Sequence, residues 1–216
     1  MIKFLPVLIL ALVASILLNA KLLTQKSSLA TFKVTEVIDG DTFKIDSEGG
    51  KRVRLIGIDA PELDRCLAQE AKQKLTDLVL GKEVALTDQF SDPYGRIMAN
   101  VFVGKTYVNK EVLAAGLGRM DYMNHTRREE LKAAYAQVLA AKLGIAGSTC
   151  IQLAPSKIGC LIKGNIDDLN KGSYYRPDCR GYGNVTVNTA FGESWFCSEK
   201  EAVAAGFSRA ASCNAQ

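Results

Sequence analysis

Residues 31–58 read TFKVTEVIDGDTFKIDSEGGKRVRLIGI. Apolar Phe32 and Val34 alternate with polar side chains at its start, and two turn signals interrupt it, Asp39-Gly40-Asp41 and Glu48-Gly49-Gly50. Alternation between such turns is typical of consecutive β-strands, because successive strand residues face opposite sides. We therefore predict three strands, over residues 31–38, 42–45 and 52–58.

Helical and strand patterns alternate after this stretch. Leu67–Leu80 has apolar residues at helical spacing and is followed by Gly81, a typical helix-ending residue. Thr126-Arg127-Arg128-Glu129 has the capping-box pattern of a helix that runs to about Leu143. Five strands interleaved with helices over about 120 residues predict an α+β fold, a five-stranded OB-fold β-barrel with three helices, for residues 31–147. Its other elements are strands at Glu83–Thr87 and Ile97–Val103 and a short helix at Asn109–Ala115.

The composition of the 216-residue chain is that of a globular protein. It is 48% hydrophobic and 23% charged, which excludes a disordered chain. The net charge of +4 includes Lys3, Lys21 and Lys26, whereas residues 31–150 carry 17 basic and 17 acidic side chains. Net charge therefore does not by itself indicate a nucleic-acid partner.

The N-terminus has the pattern of an export segment. Phe4–Ala20 is uncharged and almost wholly apolar, and Lys3 and Lys21 bound it. Its length lies between that of a signal-peptide core and that of a membrane span, so residues 1–30 are predicted to be either a cleaved signal or an uncleaved anchor. Both alternatives predict export: a secreted or periplasmic protein, or one whose only membrane contact is residues 4–20. We expect a monomer.

Six cysteines indicate disulfides in an exported protein, because oxidising compartments favour them. None forms a C-x-x-C pair, so a zinc ribbon is not predicted. Four of the six lie after residue 159, which predicts a small cysteine-containing α/β module at 159–216, joined by a linker at 148–158. The six are Cys66, Cys150, Cys160, Cys179, Cys197 and Cys213.

Three short segments carry candidate functional side chains, namely the turn at 37–42, the strand end at 53–62 and the turn at 92–96. Asp41 and Asp59 are oxygen donors of the kind that calcium prefers, and a backbone carbonyl and water would complete its shell. Arg54 and Arg96 are planar donors suited to phosphate oxygens, and Glu62 follows the rigid Pro61. Each residue alone also has a structural interpretation, as a turn former or as a cross-strand ion pair.

The chain resembles the thermonuclease (staphylococcal nuclease) family over roughly Thr31–Gly147. The matching segments are IDGDT, VRLIGIDAPE, DPYGR and VNKEVLAAGLGR, in that order. The resemblance implies an OB-fold barrel, calcium dependence and endonuclease activity on DNA and RNA that leaves 3′-phosphate ends. It also implies roles for individual residues: catalysis by Arg54, Glu62 and Arg96, calcium binding by Asp41, Asp59 and the Ala60 carbonyl, and nucleotide contacts by Tyr94 and Tyr122.

Two other function classes are alternatives. One is a non-catalytic OB-fold protein that binds single-stranded nucleic acid, although such a protein has no need of all five charged site residues. The other is an envelope-binding protein whose activity lies in the C-terminal module. A histidine triad is not expected, because His125 is the only histidine and is predicted to be exposed beside a helix start. Tyr122 fits core packing equally well.

The C-terminal module resembles the metal-binding domain of the Ada DNA-repair protein around residues 175–180 and 199–207. That domain has four cysteine ligands, but two of the matching positions are Tyr175 and Ala210 here, which leaves Cys179 and Cys213. The resemblance therefore implies a Cys179–Cys213 disulfide in place of a zinc site. With that pair taken, Cys160–Cys197 remains within the module and Cys66–Cys150 for the barrel region. Ser198-x-x-Glu201 is a second capping box, for a helix that Gly206 ends.

Overall fold

The computed structural model describes Ser15 and residues 30–121, 123–167 and 170–213. Two predictions fall outside these residues: the export segment at 4–20, apart from Ser15, and the nucleotide contact of Tyr122. Residues from Thr31 onward form one compact unit. Within the described part of the chain, no helix is long and apolar enough to cross a bilayer.

The predicted five-stranded barrel is confirmed, and the fold is α+β. Strands β1, β2, β3, β6 and β5 pair in a closed ring, since β3 pairs parallel to β6 and β5 pairs antiparallel to β1. Two short strands, β4 and β8, pair with each other outside this ring. The strands of this region are β1 Thr31–Val37, β2 Thr42–Ile45, β3 Arg52–Leu55, β4 Ile58–Asp59, β5 Glu83–Ser91, β6 Ile97–Val103, β7 Thr106–Tyr107 and β8 Arg119–Met120.

The three predicted helices are also present: α1 Ala68–Val79, α2 Val108–Ala114 and α3 Arg128–Ala141. One core joins them to the barrel. Phe43, Leu55 and Leu75 are fully buried in it, together with Leu113 of α2 and Leu131 of α3. Each helix thus packs its apolar face against the barrel.

The predicted capping box at Thr126 is wrong. The N-cap of α3 is Arg127, and no side chain caps the helix. The Thr126 hydroxyl instead donates to the Asp88 carboxylate at 2.6 Å, and the Thr126 amide donates to the same oxygen at 2.8 Å. Thr126 therefore bonds to the Asp88 carboxylate of β5 rather than to the first amides of α3, because a hydrogen bond to an ionised acceptor is stronger than one between neutral groups.

A close approach of three backbone segments explains Gly40. A β-carbon at this position would lie 2.6 Å from the Ala71 β-carbon of α1 and 2.7 Å from that of Ala60. Only glycine lets the 38–42 turn reach both neighbours. This contact places the turn that carries Asp41 against the segment that follows β4.

The C-terminal region forms a four-stranded sheet in the order β13-β10-β11-β14, with a short helix against it. Ser198 caps the helix as predicted, accepting from the Glu201 amide at 3.2 Å. Strand β9 lies in the predicted linker but pairs with β12. The elements are β9 Ile151–Gln152, β10 Ile162–Ile166, β11 Gly172–Tyr175, β12 Val187–Asn188, β13 Ser194–Phe196, α4 Glu199–Ala204 and β14 Ser208–Arg209.

All six cysteines are bonded within the described residues, and none is free. The pairs are Cys66–Cys150, Cys160–Cys197 and Cys179–Cys213, the same three that the sequence analysis predicts. The first pair joins the start of α1 to the segment before β9. The other two lie within 159–216.

Candidate active site

Arg54 is the centre of the predicted site. It lies on β3, between β2 and β6, and its guanidinium is largely buried. One nitrogen donates to Asp41 Oδ1 at 2.7 Å and another donates to Asp59 Oδ1 at 2.9 Å. The structure thus brings both predicted calcium ligands to one guanidinium.

Asp41 is buried, with 1% of its surface exposed. Besides Arg54, its carboxylate accepts from the Thr42 hydroxyl at 2.8 Å and from the Ala60 amide at 2.9 Å. Burial raises the pKa of Asp41 to about 7, against the lowering effect of Arg54. The carboxylate therefore lies in a position where further positive charge would stabilise its ionised form.

Asp59 faces a second arginine that the sequence analysis did not assign. Strands β4 and β8 place Arg119 directly opposite Asp59. Arg119 Nε donates to Asp59 Oδ2 at 3.0 Å, so each oxygen of this carboxylate accepts from a different guanidinium. The only signal for Arg119 in the sequence is its place at the end of the VNKEVLAAGLGR segment.

Arg96 is held by the turn that carries it. Its Nε donates to Asp92 Oδ2 at 2.7 Å, while the Arg96 and Tyr94 amides donate to Asp92 Oδ1. Burial acts to raise the pKa of Asp92, but these hydrogen bonds outweigh it and the pKa lies below its ordinary value. Tyr94 is 75% exposed, and its ring centre lies 5.3 Å from the Arg96 guanidinium.

Glu62 lies on the exposed loop between Pro61 and α1. Its carboxylate has no hydrogen-bond or ion-pair partner among the described residues, so its oxygens are free to bind water. Glu62 lines a cleft of about 970 Å³. The other predicted site residues that line this cleft are Arg54, Asp59, Ala60, Tyr94 and Arg96, whereas the buried Asp41 does not line it.

The predicted metal ligands are of the chemical type that calcium prefers. The predicted ligands are all oxygen atoms, and no histidine or cysteine is among the residues that line the cleft. A carboxylate has about four lone-pair sites, and Asp59 uses two of them for Arg54 and Arg119. Within the described ranges, no group of three or more His, Cys, Asp or Glu side chains could hold a metal. A cation bound here would therefore depend on Asp41, Asp59, the Ala60 carbonyl and water.

Comparisons with known proteins match the barrel region. The family described as Staphylococcal nuclease homologue matches residues 52–145. A thermonuclease of Staphylococcus hyicus is 32% identical over an alignment of 122 residues, which covers 52% of this chain and 72% of that protein. The chain belongs to the staphylococcal nuclease family.

Two further relatives are matched over a smaller share of their own length. An uncharacterized endonuclease of Haemophilus influenzae is 38% identical over 89 residues, which are 40% of this chain and 50% of that protein. A micrococcal nuclease of Shigella flexneri is 37% identical over 76 residues, which are 35% of this chain and 44% of that protein. The chain thus spans about half the length of these two relatives.

The family match covers part of what the sequence predicts. Arg54, Asp59, Glu62 and Arg96 lie inside residues 52–145, whereas Asp41 precedes them. The match ends before the C-terminal region, so the resemblance of that region to the Ada domain stays a prediction.

His125 is outside the cleft. The prediction that it is exposed is wrong: His125 is half-buried, and burial lowers its pKa. Neither ring nitrogen has a hydrogen-bond partner within the described part of the chain. The ring packs against Gly57, where a β-carbon would lie 2.6 Å from Nε2.

Proposed function

We propose that the protein is an exported, calcium-dependent endonuclease that hydrolyses DNA and RNA and leaves 3′-phosphate ends. The observation that carries this proposal is the convergence of Arg54, Glu62 and Arg96 on one cleft beside Asp59, in a chain of the staphylococcal nuclease family. The alternative, a barrel that only binds single strands, does not account for a carboxylate that lines the same cleft as these two arginines and has no ion-pair partner among the described residues.

Each side chain has a distinct role in this proposal. Glu62 accepts a proton from a water molecule, whose oxygen attacks the phosphorus. The bond from phosphorus to the 5′ oxygen breaks, that oxygen takes a proton from water, and the phosphate stays on the 3′ oxygen. Arg54 and Arg96 donate to the phosphate oxygens as negative charge accumulates on them. Asp41, Asp59 and the Ala60 carbonyl would hold calcium, which supplies further positive charge beside the phosphate.

The distribution of arginines supports a nucleic-acid substrate, although net charge does not. Among the described residues, five arginines line the cleft, against four acidic residues. Two of these acids, Asp59 and Asp92, already accept hydrogen bonds from arginines. Guanidinium groups match phosphate oxygens in geometry, and several of them in one cleft favour the binding of a polyanion such as nucleic acid. The five are Arg52, Arg54, Arg65, Arg96 and Arg119.

The three disulfides support export, because such bonds persist in extracellular and periplasmic compartments and are rare in the cytosol. Membrane contact through residues 4–20 and a monomeric state remain predictions. So do the domain boundaries at 31–147, 148–158 and 159–216.

The test is incubation of the purified protein with DNA and with RNA, with calcium or with excess chelator. We expect cleavage of both polymers with calcium and none in chelator, and mass spectrometry of the products should show 3′-phosphate termini. Retention of nucleic acid without cleavage under any metal condition would replace this proposal with the binding alternative.

A further inference from the structure

The cleft has a second wall that the nuclease family match does not include. The barrel supplies one side, with the arginines and Glu62. The C-terminal region supplies the other side, which is nearly uncharged. Its lining residues are Ile166, Asn170, Gly172, Ala190, Phe191 and Gly206, with Ala205 and Phe207. We call this side the module wall.

Arg119 is the direct link between the module wall and the barrel site. Its guanidinium carbon lies 4.2 Å from the centre of the Phe191 ring, and Nη1 donates to the Ile166 carbonyl at 3.4 Å. On the other side, Nε donates to Asp59 Oδ2. The Arg119 side chain is 14% exposed, so its contacts with the module are made largely out of water.

The buried Glu193 carboxylate holds together the two groups of the module that contact Arg119, namely the Ile166 carbonyl and the Phe191 ring. Glu193 Oε1 accepts from the Ile166 amide at 3.0 Å and from Asn165 Nδ2 at 2.7 Å. Glu193 Oε2 accepts from the Asn188 amide at 2.7 Å, three residues before Phe191. Glu193 is 6% exposed, so these bonds are strong and costly to break. Strand β10 and the segment with Phe191 therefore keep one mutual arrangement.

The segment with Phe191 is also attached to the barrel region. Asn188 Nδ2 donates to the Ile145 carbonyl at 3.0 Å. The Thr189 amide and hydroxyl donate to the Cys150 carbonyl at 3.0 and 3.1 Å. Cys150 is bonded to Cys66, four residues after Glu62. The module wall is thus attached to the loop that carries Glu62.

We propose that the C-terminal module is a working part of the active site: Phe191 and the Ile166 carbonyl, held together by Glu193, orient Arg119, which in turn positions the Asp59 carboxylate. Phe191 and Arg119 are positioning residues in this proposal, which rests on the proposed nuclease function. A free arginine side chain samples many rotamers, and the ring and the carbonyl restrict Arg119 to the one that reaches Asp59. Restriction of this kind is what keeps a ligand or catalytic group within reach of its productive geometry.

The test compares two substitutions of Phe191 in the full chain. Phe191→Tyr keeps an aromatic face for Arg119, whereas Phe191→Leu keeps apolar volume without that face. We expect Phe191→Leu to lower kcat on a single-stranded oligonucleotide about threefold and to raise the calcium Kd, measured by calorimetry without substrate, by about the same factor. Phe191→Tyr should stay close to wild type in both. A purely structural role for Phe191 predicts no such distinction.

A double variant and a control variant complete the experiment. In an Arg119→Ala background, Phe191→Leu should change kcat no further, because its effect passes through Arg119. Tyr182→Ala is the matched control, since the Tyr182 ring forms a cation–π pair within the module, with Lys163 Nζ 4.3 Å from its centre, and Tyr182 does not line the cleft. It should leave kcat and calcium Kd unchanged.

The outcomes separate this proposal from the nuclease proposal. If Phe191→Leu behaves as wild type, or lowers kcat by the same factor with and without Arg119, the module does not position Asp59. If the wild-type protein cuts neither polymer, the proposed function fails. The positioning proposal is then judged on the calcium Kd values of the Phe191 variants.

Discussion

Arg119 lies directly opposite Asp59 in the β4–β8 pair, and its Nε donates to Asp59 Oδ2 at 3.0 Å. Arg54 donates to the other oxygen of the same carboxylate. Asp59 is therefore oriented from two sides, by one arginine of the barrel and by one that contacts the C-terminal region. This arrangement distinguishes Asp59 from an ordinary turn aspartate.

Removal of Glu62 or Arg96 should abolish most catalysis without unfolding the barrel. We expect Glu62→Gln and Arg96→Ala each to lower turnover by at least about 100-fold, because one removes the base and the other removes a donor to the developing charge. Steady-state rates and circular dichroism of each variant are the measurements.

Three control variants accompany that test. Glu83→Gln changes a carboxylate at the exposed start of β5, and Arg180→Ala changes an exposed arginine of the C-terminal region. His125→Ala removes the only histidine, which lies outside the cleft. All three should retain activity. Full activity in Glu62→Gln or Arg96→Ala would contradict the proposed mechanism. A large loss of activity in His125→Ala would indicate that the histidine takes part in catalysis.

The metal preference follows from the oxygen-only donor set. Calcium should support cleavage and zinc should not, because no thiol or imidazole lines the cleft among the described residues. The measurement is the cleavage rate in chelator-treated protein after each metal is added back. Undiminished cleavage in excess chelator would reject calcium while leaving the nuclease proposal intact.

The C-terminal region should be stabilised by disulfides and should contain no zinc. Cys179 and Cys213 are separated by 34 residues, and a bridge closing such a loop contributes about 2–4 kcal/mol to the free energy of unfolding. Non-reducing peptide mapping should recover Cys179–Cys213 and Cys160–Cys197, and elemental analysis should show no stoichiometric zinc. Free thiols at Cys179 and Cys213, or stoichiometric zinc, would support a metal site of the Ada type instead.

Gly40 should not tolerate a side chain. We expect Gly40→Ala to lower the free energy of unfolding by about 1–3 kcal/mol, because its β-carbon would overlap those of Ala60 and Ala71. Gly183→Ala is the matched control, since a β-carbon there meets nothing within 4 Å. Urea titration of both variants measures the difference, and equal stability of the two would contradict the packing described here.

The stability of the C-terminal region should fall in acid through Glu199. Hydrogen bonds from the Tyr174 hydroxyl, Arg209 and Arg176 lower the pKa of Glu199 from 4.5 to about 2. Because the pKa is lower in the folded protein, the stabilisation is complete above pH 4.5 and is lost as the pH falls toward 2. Glu199→Gln should therefore melt at a lower temperature than wild type at pH 6, with a difference that shrinks toward pH 2.

Glu48→Gln provides the comparison for that measurement, because Glu48 is an exposed turn carboxylate with no ion pair among the described residues. Its melting temperature should follow wild type at every pH. A constant difference between Glu199→Gln and wild type from pH 6 to pH 2 would show that ionisation of Glu199 does not stabilise this region.

The sequence alone predicted the helices, the five barrel strands and the chemical types at the site, but not the strands of the C-terminal region. The alternation in residues 31–58 and the apolar stripe of Leu67–Leu80 reflect local geometry, because strand and helix periods are properties of consecutive residues. The family motifs added Arg54, Asp59, Glu62 and Arg96 as a set. The five barrel strands were predictable as well, although the third ends at Leu55 rather than at residue 58, and Ile58–Asp59 forms a separate strand that pairs with β8.

Only the tertiary structure decided which partners the polar side chains take. Thr126 has the sequence of a helix cap but donates to Asp88, a residue 38 positions away. Arg119 gained its role because β8 pairs with β4 and the C-terminal region folds against it. Such choices depend on which charged groups the fold brings within hydrogen-bond distance, and no spacing along the chain encodes that distance.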